Sequence, residues 1–192
     1  MLRSRISKIA LGAAVVAALT AGAAGVAYAA TVPGTPNLIA THNVVTTHQG
    51  EKVPFNSTDV WNIAKGSYDP TLARDHSYVP AKGSYAAAIK KAGGFASGYQ
   101  SKANGNEITF AVAKGKTGAF AAEQAEIAKT GTPVDIFGPG VKAYEVNGGG
   151  TYTGDYEVFV NGYWISVTSN LFTSPQAAAP LIQSILQTIP QG

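Results

Sequence analysis

Thr151–Ser169 reads TYTGDYEVFVNGYWISVTS. Asn161-Gly162 is the dipeptide favoured in two-residue hairpin turns, where both central residues need positive φ. A two-residue turn there pairs Val160 with Tyr163, Val158 with Ile165 and Tyr156 with Val167. Side chains alternate along a strand, so these six share one face. That face is apolar and belongs against helices. A slip of one residue would turn all six to the other side, so the pattern itself fixes the register. The stretch SPQAAAPLIQSILQTIP follows (Ser174–Pro190). Ser174 is a good N-cap and Pro175 a good first helical residue. Pro180 denies a bond to the carbonyl of Gln176, which predicts a kink or a delayed helix start.

Working outward, the chain contains a second stretch of the same plan. It reads GFASGYQSKANGNEITFAV and then GAFAAEQAEIAKTG. A shift of 57 residues carries Asn104-Gly105 onto Asn161-Gly162, and also Tyr99 onto Tyr156, Ile108 onto Ile165 and Thr117 onto Ser174. The concordance suggests a duplicated hairpin-plus-helix unit. In the first copy a two-residue turn pairs Tyr99 with Phe110 toward the core and Lys102 with Glu107 toward solvent. The expected fold is therefore α+β. Two ββα units, residues 93–131 and 141–190, form an antiparallel sheet with helices packed on one face. An extra N-terminal strand and helix complete a single domain over 30–192.

Upstream, Asn56–Asp59 offers N-cap candidates for a short helix with Val60, Ile63 and Ala64 on one face and Gly66 as its stop. Ser84 can cap SYAAAIKKAG, where Tyr85, Ala88, Ile89 and Ala92 form an amphipathic stripe. Tyr68–Pro80 and Gly131–Gly140 read as loops punctuated by Pro. Val141–Val146 and Leu38–Thr47 are β-prone.

Residues 1–29 carry a basic start (Arg3, Arg5, Lys8), an uncharged apolar run and Ala27-Tyr28-Ala29, the pattern of a cleaved secretory signal. The expected location is secreted or extracellular, with no membrane attachment after cleavage; retention as an anchor is the alternative. The chain has 14 Lys+Arg and 11 Asp+Glu, and all the acids follow the signal. Eleven bases against eleven acids remain, without a basic cluster, so nucleic acid is not an expected partner. There is no Cys. Disulfides, thiol catalysis and thiolate metal sites are therefore excluded.

The strings GGFASGYQS, AAEQAEIA, GPGVKAYEV, YEVFVNGYWISVTS and PLIQSILQTIP together resemble a broad group of uncharacterised exported proteins of actinobacteria, many of them lipoproteins. This chain lacks the Cys that a lipid anchor requires. The resemblance implies an α+β fold and an envelope or extracellular location, and it carries no catalytic residues to transfer.

Chemical motifs are few. Gly115-Lys116-Thr117 follows a strand and precedes a helix, but the phosphate-binding loop needs Gly where Phe110 stands. His42, His48 and His76 lack metal-ligand spacing. Asp69, Arg74, Asp75 and His76 collect polar chemistry in one loop. Asp155 and Glu157 lie on the outward face of a strand, where charge needs no special reason. No catalytic residue, cofactor or metal is assigned. Phe159 and Trp164 are the candidate binding residues. The hairpin register pairs them on the outer face, where the first copy has Lys102 and Glu107. An aromatic pair left in water would mark an interaction site. The competing expectation is that the 30–66 segment, with Trp61, folds over them. The expected function is a non-enzymatic extracellular or envelope binding domain for a protein, peptide or small apolar ligand. The alternatives are an envelope hydrolase using the Asp69–His76 loop and a secreted inhibitor of an extracellular hydrolase.

Overall fold

A computed structural model describes residues 53–146 and 154–190. The signal segment, Leu38–Thr47, His42 and His48 lie outside the described residues. Four helices and seven strands follow in the order α1 (Ser57–Ser67), β1 (Ala73–Asp75), α2 (Tyr85–Lys91), β2 (Phe95–Gln100), β3 (Glu107–Lys114), α3 (Ala121–Thr130), β4 (Thr132–Pro133), β5 (Lys142–Glu145), β6 (Gly154–Val160), β7 (Tyr163–Ser169) and α4 (Pro175–Thr188). The strands form one antiparallel sheet, ordered β1-β2-β3-β7-β6-β5-β4. The fold is mixed α+β.

The β6–β7 hairpin has the expected register: Val160 opposes Tyr163, Val158 opposes Ile165 and Tyr156 opposes Val167. Asn161 and Gly162 both have positive φ, 47° and 80°. Asn161 is the only non-glycine among the described residues to do so, as the primed turn requires.

The β2–β3 hairpin differs. Tyr99 opposes Ile108, and Gln100 opposes Glu107. The loop is longer by two residues: the Ser101 amide bonds the Asn106 carbonyl, and the Gly105 amide bonds the Ser101 carbonyl. Lys102 therefore lies in the loop and does not pair with Glu107; Gln100 Nε2 donates to Glu107 instead. A shift of two keeps every side chain on its face. Tyr99, Ile108 and Phe110 thus remain core residues although their partners changed. The cause is side-chain chemistry. Asn104 and Asn106 both donate to Asp69 Oδ2, each at 2.8 Å. Asn104 spends its amide on this bond and does not adopt the left-handed backbone of a primed turn.

The helices lie on both faces of the sheet, not on one. Val60 and Ala64 of α1 and Ala178, Leu181, Ile182 and Ile185 of α4 pack with Tyr99, Ile108, Phe110, Tyr156, Val158, Ile165 and Val167. Ala88 and Ile89 of α2 and Ile127 of α3, with Phe120 ahead of it, pack on the opposite face with Ala111, Ala113, Phe159 and Trp164. The central strands are buried on both sides, and they read as near-continuous apolar runs, ITFAVA and EVFV, as doubly covered strands do. Each fully buried Leu, Ile or Phe in these layers contributes about 1.5–3 kcal/mol. The two proposed repeats thus diverge after the hairpin: α3 and α4 sit on opposite faces. Thr117 does not cap α3 either. That helix starts after Phe120, without a side-chain cap.

Local signals elsewhere act largely as read. Asn56 caps α1 in a reciprocal capping box with Asp59, and Ser84 and Ser174 cap α2 and α4. The Tyr68–Pro80 loop contains edge strand β1. Pro180 does not delay α4: the helix runs from Pro175 to Thr188 with the proline inside it. The Tyr68 hydroxyl accepts from the Leu181 amide at 3.1 Å and donates to the Ala178 carbonyl at 3.2 Å. It serves the turn that proline disturbs. No helix among the described residues is long and apolar enough to cross a membrane.

Candidate functional site

Phe159 and Trp164 do stack across β6 and β7, with centroids 5.8 Å apart and planes 20° apart. They are not a surface. Phe159 is 5% and Trp164 1% exposed. Among the described residues α2 and the residue ahead of α3 cover them: Tyr85 and Phe120 meet the indole at centroid distances of 6.4 and 5.6 Å, while residues 30–52 of the segment expected to fold over them lie outside the described residues. Tyr144 of β5 meets the Phe159 ring from the side. Trp61 lies with the α1/α4 layer, on the other face. The outer face of this hairpin is a second core.

Glu157 belongs to that core, contrary to the expectation of an outward, solvated acid. It opposes Ser166 and lies diagonal to Trp164 on the same face. Its side chain is fully enclosed. Trp164 Nε1 donates to Oε2 at 2.6 Å, while Oε1 has no partner. Burial pushes the carboxyl well above the usual range, and the nearby Asp155 charge adds to this. Hydrogen bonds from Ser166 and Trp164 oppose the shift but do not overcome it. A carboxyl held against an indole with a second acid two residues away is a recognised way to prepare a general acid. Here both oxygens are sealed, so no substrate atom reaches them. Glu123 of α3 is also buried, with one unpartnered oxygen.

The Asp69–His76 loop does not assemble a site. Asp69 is buried and accepts four hydrogen bonds, from Thr71 N, Thr71 Oγ1, Asn104 Nδ2 and Asn106 Nδ2. These donors, the Thr71 hydroxyl first, hold it far below the ordinary carboxylate range. It is an anionic clamp between two loops. Asp75 accepts from Ser77 N and Ser77 Oγ in its own turn, and His76 is exposed. Gly115-Lys116-Thr117 is a turn docked on the hairpin tip, where the Gly115 amide bonds the Gly162 carbonyl at 2.8 Å. Among the described residues no cluster of His, Cys, Asp and Glu could hold a metal.

Arg74 is the member of that loop with a different destination. Strand alternation sends its neighbours Ala73 and Asp75 to the α2/α3 face and Arg74 to the α1/α4 face. There its guanidinium lies 5.0 Å from the centroid of Trp61. Lys65, one helical turn after Trp61, places its ammonium 4.7 Å from the same centroid. The indole is fixed by its Nε1, which donates to the Leu72 carbonyl at 2.9 Å. Arg74 Nε is buried without a hydrogen-bond partner. Trp61, Lys65 and Arg74 are each partly exposed. Neither cation forms an ion pair with a carboxylate of the described residues, unlike Lys129, which pairs with Glu126. Nothing in the sequence joins residues 61, 65 and 74 as a motif. The available signals were an i, i+4 Trp–Lys pair and an Arg on a short edge strand.

No protein-family model, no curated protein and no solved structure matches the chain.

Proposed function

We propose that this protein is a non-enzymatic extracellular or envelope binding domain that engages its ligand through the ledge formed by Trp61, Lys65 and Arg74. One observation carries the reading: two cations are held within 5.0 Å of a single partly exposed indole, and no carboxylate of the described residues forms an ion pair with either. Aromatic and Arg side chains dominate binding hot spots because they combine rigid contact area with directed donors. The signal-like N-terminus and the resemblance to exported actinobacterial proteins support the location. The test is capture by the immobilised full chain from secreted and envelope fractions of the cells that express it. A saturable ligand should be retained by the wild type and lost by Trp61→Ala. Equal retention by both proteins, or no saturable ligand, refutes the reading.

An envelope hydrolase is the second reading. In its favour is Glu157, a buried acid against Trp164 with one unpartnered oxygen. Glycan hydrolysis abolished by Glu157→Gln, with the fold intact, would establish it. The complete enclosure of that carboxyl is why it stands second.

A further inference from the structure

The chemistry of the ledge points to the class of ligand, and this inference rests on the binding reading above. Both cations lie within 5.0 Å of one ring centroid. They are therefore no more than about 10 Å apart, within a Debye length at ordinary salt, and repel each other. The neighbouring acids among the described residues make their hydrogen bonds elsewhere. Asp59 gives Oδ2 to the Asn56 amide in the helix cap. Asp75 is on the other sheet face, bonded within its own turn. Asp69 is saturated by four donors.

The guanidinium is also pre-aimed. Its strand position places its central carbon 5.0 Å from the Trp61 centroid, and a planar fork matches tetrahedral and carboxylate oxyanions better than a flexible ammonium does. Arg74 Nε is enclosed, so in this partly exposed residue the terminal guanidinium nitrogens are the donors offered to such a partner. Lys65 supplies a second charge from the last turn of α1.

We propose that Arg74 and Lys65, aligned by Trp61, bind a doubly charged tetrahedral oxyanion, a phosphate or sulfate group, either as the free ion or as an ester on an extracellular polymer. Two fixed cations favour a divalent group over chloride or a lone carboxylate.

The experiment is a titration of the full chain followed by the indole resonances in a proton–nitrogen correlation spectrum. The probes are inorganic phosphate, inorganic sulfate, polyphosphate and dextran sulfate, each against chloride at matched ionic strength. The chain has two Trp, and they make different bonds: Trp61 to Leu72 and Trp164 to Glu157. The Trp61 resonance should shift saturably while that of Trp164 stays in place, which also reports an intact core in each variant. Saturation by the inorganic ions identifies the free ion as ligand; saturation by the polymers alone identifies the ester. Arg74→Ala and Lys65→Ala should each weaken binding about ten-fold, the effect of losing ~1.4 kcal/mol. Arg74→Lys should fall between, keeping the charge without the fork. No saturable Trp61 shift with any of the four probes overturns the inference, as does unchanged saturation in the double Lys65→Ala, Arg74→Ala variant. A Trp61-dependent ligand captured from cell fractions, with no response to any anion, overturns this inference and leaves the binding reading standing.

Discussion

The Tyr68 hydroxyl and Pro180 form a coupled pair whose energetics can be dissected. Proline lacks the amide that would bond the Gln176 carbonyl, and its ring crowds that carbonyl. The Leu181 amide is satisfied by Tyr68 from α1's C-terminal end, and the same hydroxyl reaches the Ala178 carbonyl. Burial pushes the phenol up to about 12, against the Leu181 bond, so it stays protonated and able to donate. Tyr68→Phe removes one oxygen and keeps the ring, which packs edge-on against Phe172 at 5.5 Å. The loss should then be the cost of a helix amide and carbonyl left unserved, about 1–3 kcal/mol. Urea unfolding should show a lower midpoint with an unchanged slope, since the surface exposed on unfolding does not change. The decisive measurement is the same substitution in a Pro180→Ala background. Without the ring the turn can close, and the Leu181 amide can bond the Ala177 carbonyl directly. The cost of losing the hydroxyl should shrink, giving a coupling of at least about 0.5 kcal/mol. An identical cost in the two backgrounds, or a Tyr68→Phe protein within about 0.5 kcal/mol of wild type, would sink the argument that tyrosine compensates for proline.

Glu157→Gln should change the pH dependence of stability. The folded carboxyl titrates well above its unfolded value, so its contribution is fully present below the unfolded pKa and is lost as pH rises toward the folded one. Relative to wild type, Glu157→Gln should gain about 1.4 kcal/mol per pH unit across that window, measured by urea unfolding; parallel pH profiles would refute it. Asp69→Asn should behave oppositely. The Asp69 carboxyl is held far below its ordinary range, so the penalty for replacing it should be largest near neutrality and should diminish in acid as the unfolded carboxyl takes up its proton; a penalty constant with pH counts against the clamp. Gly98→Ala should destabilise by about 1–3 kcal/mol through overpacking, because an added Cβ would meet the Tyr78 ring at 2.7 Å. A neutral Gly98→Ala would mean that the Tyr78 loop moves aside freely.

How far these features were legible follows from the range of the interactions involved. The β6–β7 hairpin was readable to the residue, since its register depends on one dipeptide and on alternation within a few positions of it. The caps at Asn56, Ser84 and Ser174 are equally local. The β2–β3 hairpin carries the same dipeptide and paired differently, because Asp69, 35 residues before Asn104, claims its amide. The assignment of faces survived, since alternation tolerates a shift of two. The side on which each helix packs was not legible. Phe159 and Trp164 revealed an apolar second face, yet a single chain does not say which element will cover it. Reading that face as surface also made Glu157 look ordinary, when its enclosure depends on α2, α3 and the Trp164 ring.

The ledge escaped the sequence for a related reason, and that reason bears on how charge works in this protein. Beyond the signal-like segment the chain balances eleven bases with eleven acids, which by itself argues against a cationic site. Balance over the whole chain says nothing about where each acid is committed. Asp59 closes a helix cap, Asp69 clamps two loops, Asp75 ties its own turn, and Glu157 is sealed beside an indole. Each of these commitments is made by folding, and none is spent on Lys65 or Arg74. A hydrogen bond does not cancel an acid's charge, which still acts within a Debye length, but among the described residues no acid forms an ion pair with Lys65 or Arg74. A chain can therefore be neutral in sum and still carry two cations without ion-pair partners at one place. In this one, that place is an indole with both cations within 5.0 Å of its centroid.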